Sequence, residues 1–217
     1  MKTHDTTKLF YDQYVYKLTF INGLASIFRN KNLTYARMIL DRLDSSEQDG
    51  EPLAVRRVRR IEPVTIAQFN DAKKLIQFFY KFDDYTLRIE LSKISIYSNS
   101  KVWLTSIKDA VDPESLQGFW EPNPTHASIL KPNVLITNSY PNFNYKVTLG
   151  RGIGSPEFAK FALNNPTLIK AGPEMLSRCH HKNYMDGFYF FVRDEKTLAL
   201  INLFISNIRR IDKIVAM

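Results

Sequence analysis

The sequence predicts an α+β protein of two duplicated halves, each running β-α-β-β-α-β into an antiparallel sheet with helices on one face. Three observations predict it. Strand-like runs rich in aromatic and β-branched residues alternate with amphipathic helical runs along all 217 residues. The stretches "YKLTF" at 16–20 and "YKVTL" at 145–149 match, and each is followed by a run reading aromatic, Ala, basic, apolar, apolar, Leu: "YARMIL" at 35–40 and "FAKFAL" at 158–163. Later in each half a strand enters a capped helix, through "IYSNSKVWL" and "FVRDEKTLA". Asn99 and Asp194 are the corresponding caps there, with Lys101 and Lys196 two residues on. The halves are expected at 1–140, with a basic arm at 45–64 and an extra helix at 65–82, and at 141–217.

Each element follows from local pattern. After a polar start, "YVYKLTFI" (14–21) reads as a strand, and "LTYARMILDRLDSS" as a helix with Leu33, Ala36, Ile39, Leu40 and Leu43 at helical spacing. The arm at 45–64 loses apolar periodicity and carries Gly50, Pro52 and Pro63, so an exposed connection is expected. Thr65 caps a helix whose Ile66, Phe69, Ala72, Leu75, Ile76 and Phe79 share one face. Two alternating runs, 85–90 and 93–97, predict a β-hairpin, and "SKVWLTSIKDAV" a helix. The Pro-rich "DPESLQGFWEPNPTHASILKP" predicts a loop leading to a strand at 133–137. In the second half, Ser155 as N-cap and Pro156 as first helical residue make "GRGIGSP" a strand, turn, helix junction. "TLIKA" then predicts a short strand, "PEMLSRC" a short helix, "GFYFFVR" (187–193) a strand, "DEKTLALINLFISN" a helix capped by Asp194, and "RIDKIV" the closing strand.

Composition bounds the function. The chain is 44% hydrophobic and 13% aromatic, so a globular protein without extended disorder is expected. Its formal charge of +8, from 30 Lys plus Arg against 22 Asp plus Glu, favours a polyanion or an acidic protein surface as partner. The single cysteine, Cys179, cannot form an internal disulfide, so a reducing, cytoplasmic compartment is expected. No signal peptide is evident, and the most apolar C-terminal stretch, "TLALINLFI", is far shorter than the roughly 20 residues a bilayer requires, so no membrane partner is expected.

With "YKVTLG" as first strand and "DGFYFFVR" as third, a Gly followed by alternating aromatics, residues 145–217 loosely resemble an RNA-recognition motif, and the whole layout is ferredoxin-like. The resemblance implies that Tyr145 and two of Phe188, Tyr189, Phe190 and Phe191 stack bases. "GFYFFV" carries one residue more than that family's usual spacing, which changes the aromatics that face outward, because strand faces alternate.

The densest basic cluster is "VRRVRR", with Arg56, Arg57, Arg59 and Arg60 suited to phosphate oxygens; the alternative is a surface strand paired with Glu51 and Glu62. Arg209, Arg210 and Lys213 form a second basic group, which would equally complement the C-terminal end of the preceding helix. Gly150, Gly152 and Gly154 precede a helix, with Arg151 among them, but the Lys-Ser/Thr pair of a phosphate-binding P-loop is missing and a tight connection is expected. Cys179, His180 and His181 are adjacent without a second spaced ligand pair, so neither metal nor cofactor is expected. Those histidines and His126 could serve general acid and base chemistry on RNA. No complete catalytic signature is present.

The expectation is a non-enzymatic protein that binds single-stranded RNA or DNA through a basic groove and aromatic stacking, of the kind found among viral or plasmid replication accessories. A structural protein docking acidic partner subunits is the alternative, and a small metal-independent endoribonuclease the third reading. Neither nucleic-acid type nor oligomeric state is fixed by the sequence.

Overall fold

The computed structural model describes residues 1–57, 60–140 and 142–216. The protein is α+β and divides into two compact units. The first comprises Met1–Thr6 and Gln13–Asn123, the second Thr7–Asp12 and Pro124–Met217.

The first unit holds β1 (Lys2–Asp5), β2 (Tyr16–Ile21), a 3-10 segment (Ala25–Lys31), α1 (Leu33–Gln48), β3 (Ala54–Arg57), β4 (Arg60–Pro63), α2 (Ile66–Lys81), β5 (Tyr85–Glu90), β6 (Lys93–Ser98), α3 (Lys101–Ala110) and β7 (Leu116–Glu121). Its sheet runs β1-β7-β2-β6-β5, antiparallel except for the edge pair β1 and β7. Leu18 and Phe20 of β2 and Ile94 and Ile96 of β6 point to one face, where they join Phe69, Leu75 and Phe79 of α2 and Leu104 of α3 in a buried cluster. Each such side chain contributes on the order of 1.5–3 kcal/mol by leaving water. A full capping box starts α2, with Thr65 accepting from the Gln68 amide and Gln68 from the Thr65 amide.

The second unit holds β8 (Val134–Ile136), β9 (Tyr145–Leu149), β10 (Gly152–Ile153), α4 (Pro156–Asn164), β11 (Ile169–Ala171), α5 (Pro173–His180), β12 (Tyr184–Met185), β13 (Tyr189–Val192), α6 (Glu195–Ile201) and β14 (Ile208–Val215). Its sheet order is β11-β13-β9-β14-β8, again antiparallel except for the edge pair β14 and β8. Read from the β8 edge, this is the same order as the first sheet. In each, a leading strand sits parallel to the last, and the first strand of the βαββαβ unit lies at the centre. "YKLTF" and "YKVTL" are those central strands.

Several elements differ from expectation. The Pro-rich stretch expected as a loop contains β7, which closes the first sheet; the strand expected at 133–137 is β8, and it joins the second sheet instead. β7 forms because it pairs with β1 on one side and β2 on the other, and Trp120 lies over Gly118, where a Cβ would come within 2.9 Å of the indole. The arm contains the two-stranded hairpin β3 and β4, with Arg57 opposite Arg60. Ser100, not Asn99, caps α3; the Asn99 side chain instead accepts from the Val15 amide at 3.1 Å. Among the described residues no helix is long and apolar enough to cross a membrane.

Candidate nucleic-acid interface

Strand alternation builds the site. Val147 and Leu149 of β9 and Phe190 and Val192 of β13 enter the buried cluster with Phe158, Ala159 and Ile201. Their neighbours Lys146, Thr148, Tyr189 and Phe191 therefore lie on the sheet face away from the helices. Register places Lys170 and Lys146 on either side of Phe191, and Thr148 beside Tyr189. Tyr189 is 48% exposed, and Lys146 Nζ lies 4.1 Å from its ring centroid. Tyr140 stacks on Phe191 at 3.8 Å, and Lys170 Nζ lies 5.0 Å from the Tyr140 ring. Together these rings and Phe188 border a cleft of about 550 Å³. Burial pushes the Lys146 ammonium below its usual range, and the nearby Lys8 adds to this.

At the rim, the Asp186 carboxylate faces Arg151 at 3.8 Å and Arg209 at 3.9 Å, and both guanidinium side chains are largely exposed. Arg178 lies over the Phe188 ring at 5.2 Å and pairs with Glu174 at 3.1 Å. The cleft is thus aromatic within, with both signs of charge along its edge.

The expected site residues separate into those that reach this face and those that do not. Tyr189 and Phe188 border the cleft, and Arg151 and Arg209 flank it. Phe190 is fully buried against Phe158, with ring centroids 4.8 Å apart, and so cannot stack a base. Tyr145 packs on the helix side, where its hydroxyl donates to Glu195 Oε1 at 2.8 Å. Arg210 is half-buried and held by Asp12 and Asp212, the latter also paired with Lys8 at 2.5 Å, so its charge is neutralised within the fold. Lys213 is exposed on β14 opposite Tyr145, away from the cleft face. Arg56 and Arg57 end β3 and Arg60 begins β4; Arg59 lies outside the described residues. Tyr140, Lys146 and Lys170 enter only with the structure. Alternation from the buried Val147 is the signal that could have found Lys146.

The glycine-rich turn is a packed junction. The Gly150 amide donates to Asn207 O and the Gly154 amide to Asn183 O, so neither is turned toward a phosphate. A Cβ at Gly154 would stand 2.6 Å from Cys179 Cα. His180 and His181 are exposed while Cys179 is buried, and burial pushes its thiol upward. Among the described residues no group of three or more His, Cys, Asp or Glu is placed to hold a metal.

The corresponding face of the first unit is built alike and filled differently. Lys17, the partner of Lys146 in the repeated pentapeptide, is opposite Tyr97 and Trp120, and burial lowers its ammonium too. Lys17 Nζ lies 4.1 Å from the Trp120 ring, His4 stacks on that ring at 4.6 Å, and Gly118 lies against it. The indole is partly covered by its own neighbours. No protein-family model, curated protein or solved structure matches this chain.

Proposed function

We propose that the protein is a non-enzymatic binder of single-stranded nucleic acid, and that the second unit's aromatic cleft, bordered by the sheet and by the first turn of α5, holds the strand. The observation that carries this reading is the half-exposed Tyr189 beside an aromatic cleft flanked by Lys146 and Lys170. A tyrosine ring stacks any base, and lysines beside it meet the phosphates that follow. Arg151 and Arg209 extend the basic edge, Arg56, Arg57, Arg59 and Arg60 of the basic 45–64 segment add sequence-independent attraction, and the net charge of +8 has the sign required. The shared strand order and the repeated pentapeptide support descent of the two units from one duplicated ancestor.

Fluorescence anisotropy with labelled single-stranded RNA, single-stranded DNA and duplex DNA across a salt series tests the reading. Single strands are expected to bind with strong salt dependence, and Tyr189→Ala to weaken them by about 1–3 kcal/mol, roughly 5- to 150-fold. Absence of binding even at about 50 mM salt, where phosphate contacts are strongest, would sink the proposal.

A further inference from the structure

We propose that the second unit's cleft reads guanine, with the Asp186 carboxylate accepting hydrogen bonds from the N1–H and the exocyclic N2–H of a base stacked on Tyr189. This rests on the reading above that the cleft takes single-stranded nucleic acid. Asp186 is the acid of the β12 to β13 turn and borders the same cleft as Tyr189 and Phe191. Gly187 fixes that turn with φ 74°, a conformation glycine adopts at little cost, and its amide donates to Leu149 O at 3.0 Å. Among the described residues, the cations paired with this carboxylate are Arg151 and Arg209, which stand 3.8 and 3.9 Å away, beyond hydrogen-bond distance.

Base chemistry then selects the ligand. A carboxylate is an acceptor with two oxygens, and guanine is the one common base whose pairing edge offers two adjacent donors. Adenine and cytosine each set a ring-nitrogen acceptor beside their amino group, and uracil sets a carbonyl on either side of its N–H. Those acceptors would face the negative charge of Asp186. Single-stranded bases present these edges freely, unlike bases in a duplex. Arg151 and Arg209, both largely exposed, are placed to turn from Asp186 toward the flanking phosphates as the base takes their place.

The test uses the full chain and short oligouridines, ribo and deoxyribo, carrying one central guanosine, inosine, adenosine, cytidine or uridine, read by anisotropy. The guanosine oligomer is expected to bind roughly 5- to 100-fold tighter than the uridine one. Inosine, which lacks the 2-amino group, is expected to fall between them. In Asp186→Asn the ratio of guanosine to all-uridine affinity falls to within about twofold of one. A ratio taken within one protein separates base reading from a damaged fold, and the guanosine-inosine comparison needs no variant. Binding of all five oligomers within about twofold of one another would overturn the guanine assignment and leave the single-strand reading standing. Failure of every oligomer to bind would overturn both.

Discussion

At the scale of single residues, environment decides what each aromatic ring can do. Tyr85, on β5, stacks on Phe79 at 5.1 Å, lies 5.1 Å from Trp103, and carries Lys31 Nζ over its ring at 3.8 Å. Burial, with the charge of Asp83, pushes its phenol up to about 12. An unfolded chain releases the same proton near pH 10. Between those two values the unfolded state binds fewer protons than the folded one, so stability falls as pH rises through that window. Tyr85→Phe is expected to flatten this fall, measured as the urea midpoint against pH; identical slopes in both proteins would refute the assignment. Tyr189 and Phe190 make the same point one bond apart. Adjacent on β13, one offers its ring to solvent and the other fills the core beside Phe158, and only strand alternation separates them.

At the scale of elements, the junctions carry the register. The turn from β9 to α4 packs Gly154 against the backbone of α5, where the atoms nearest a Cβ are Cys179 Cα and Arg178 O at 2.6 and 2.9 Å. Backbone atoms cannot rotate aside. Gly154→Ala is expected to cost about 1–3 kcal/mol in a denaturant melt and to speed the reaction of buried Cys179 with a thiol reagent; an unchanged midpoint would contradict it. The helices were legible from sequence because their signals are local: Thr65, Ser155, Pro156 and Asp194 sit at the helix starts where they were expected, and the structure adds Gln68 as the partner of Thr65 in a capping box. β7 was not legible. Its "LQGFWE" has no clean alternation and lies among prolines, and it becomes a strand because β1 and β2 supply hydrogen-bonding edges on both sides. The cap of α3 shifted by one residue for a similar reason, since Asn99 holds the Val15 amide and leaves Ser100 to cap.

At the scale of the whole molecule, two separate cores support two sheets of one topology with different surfaces. The second unit depends on a distant part of the chain. Asp212 is fully buried, and its charge is met by Arg210 and by Lys8 from the segment Thr7–Asp12. Lys8→Met is expected to destabilise the second unit on the order of 2–3 kcal/mol, below the full value for a buried pair because Lys8 is partly open to water. Amide exchange in β14 should accelerate first, and unaltered protection there would count against this role. The contrast between the two faces yields a further expectation. Under the proposed function, Trp120→Ala should lower stability in the first unit yet leave oligonucleotide affinity within about twofold, whereas Tyr189→Ala is expected to weaken binding by about 1–3 kcal/mol. A Trp120 variant that binds as poorly as the Tyr189 one would place part of the interface on the first unit.

The sequence by itself determined the α+β class, the order of most helices and strands, the paired central strands and the sign of the charge, because periodicity, caps and composition act over a few residues and need no partner. Only the tertiary structure decided which residues could form a site. Within the second half the aromatic run alone offers four rings, and it takes the pairing of β13 with β9 and β11 to turn Tyr189 outward, bury Phe190 and bring Lys146 and Lys170 beside them. Tertiary structure also brought Arg210 of β14 to Asp12, across nearly the full length of the chain, while its neighbour Asp212 on the same strand holds it from the other side. A side chain's availability depends on what lies across the sheet from it, and that neighbour is set by register between strands far apart in sequence, which no local pattern encodes.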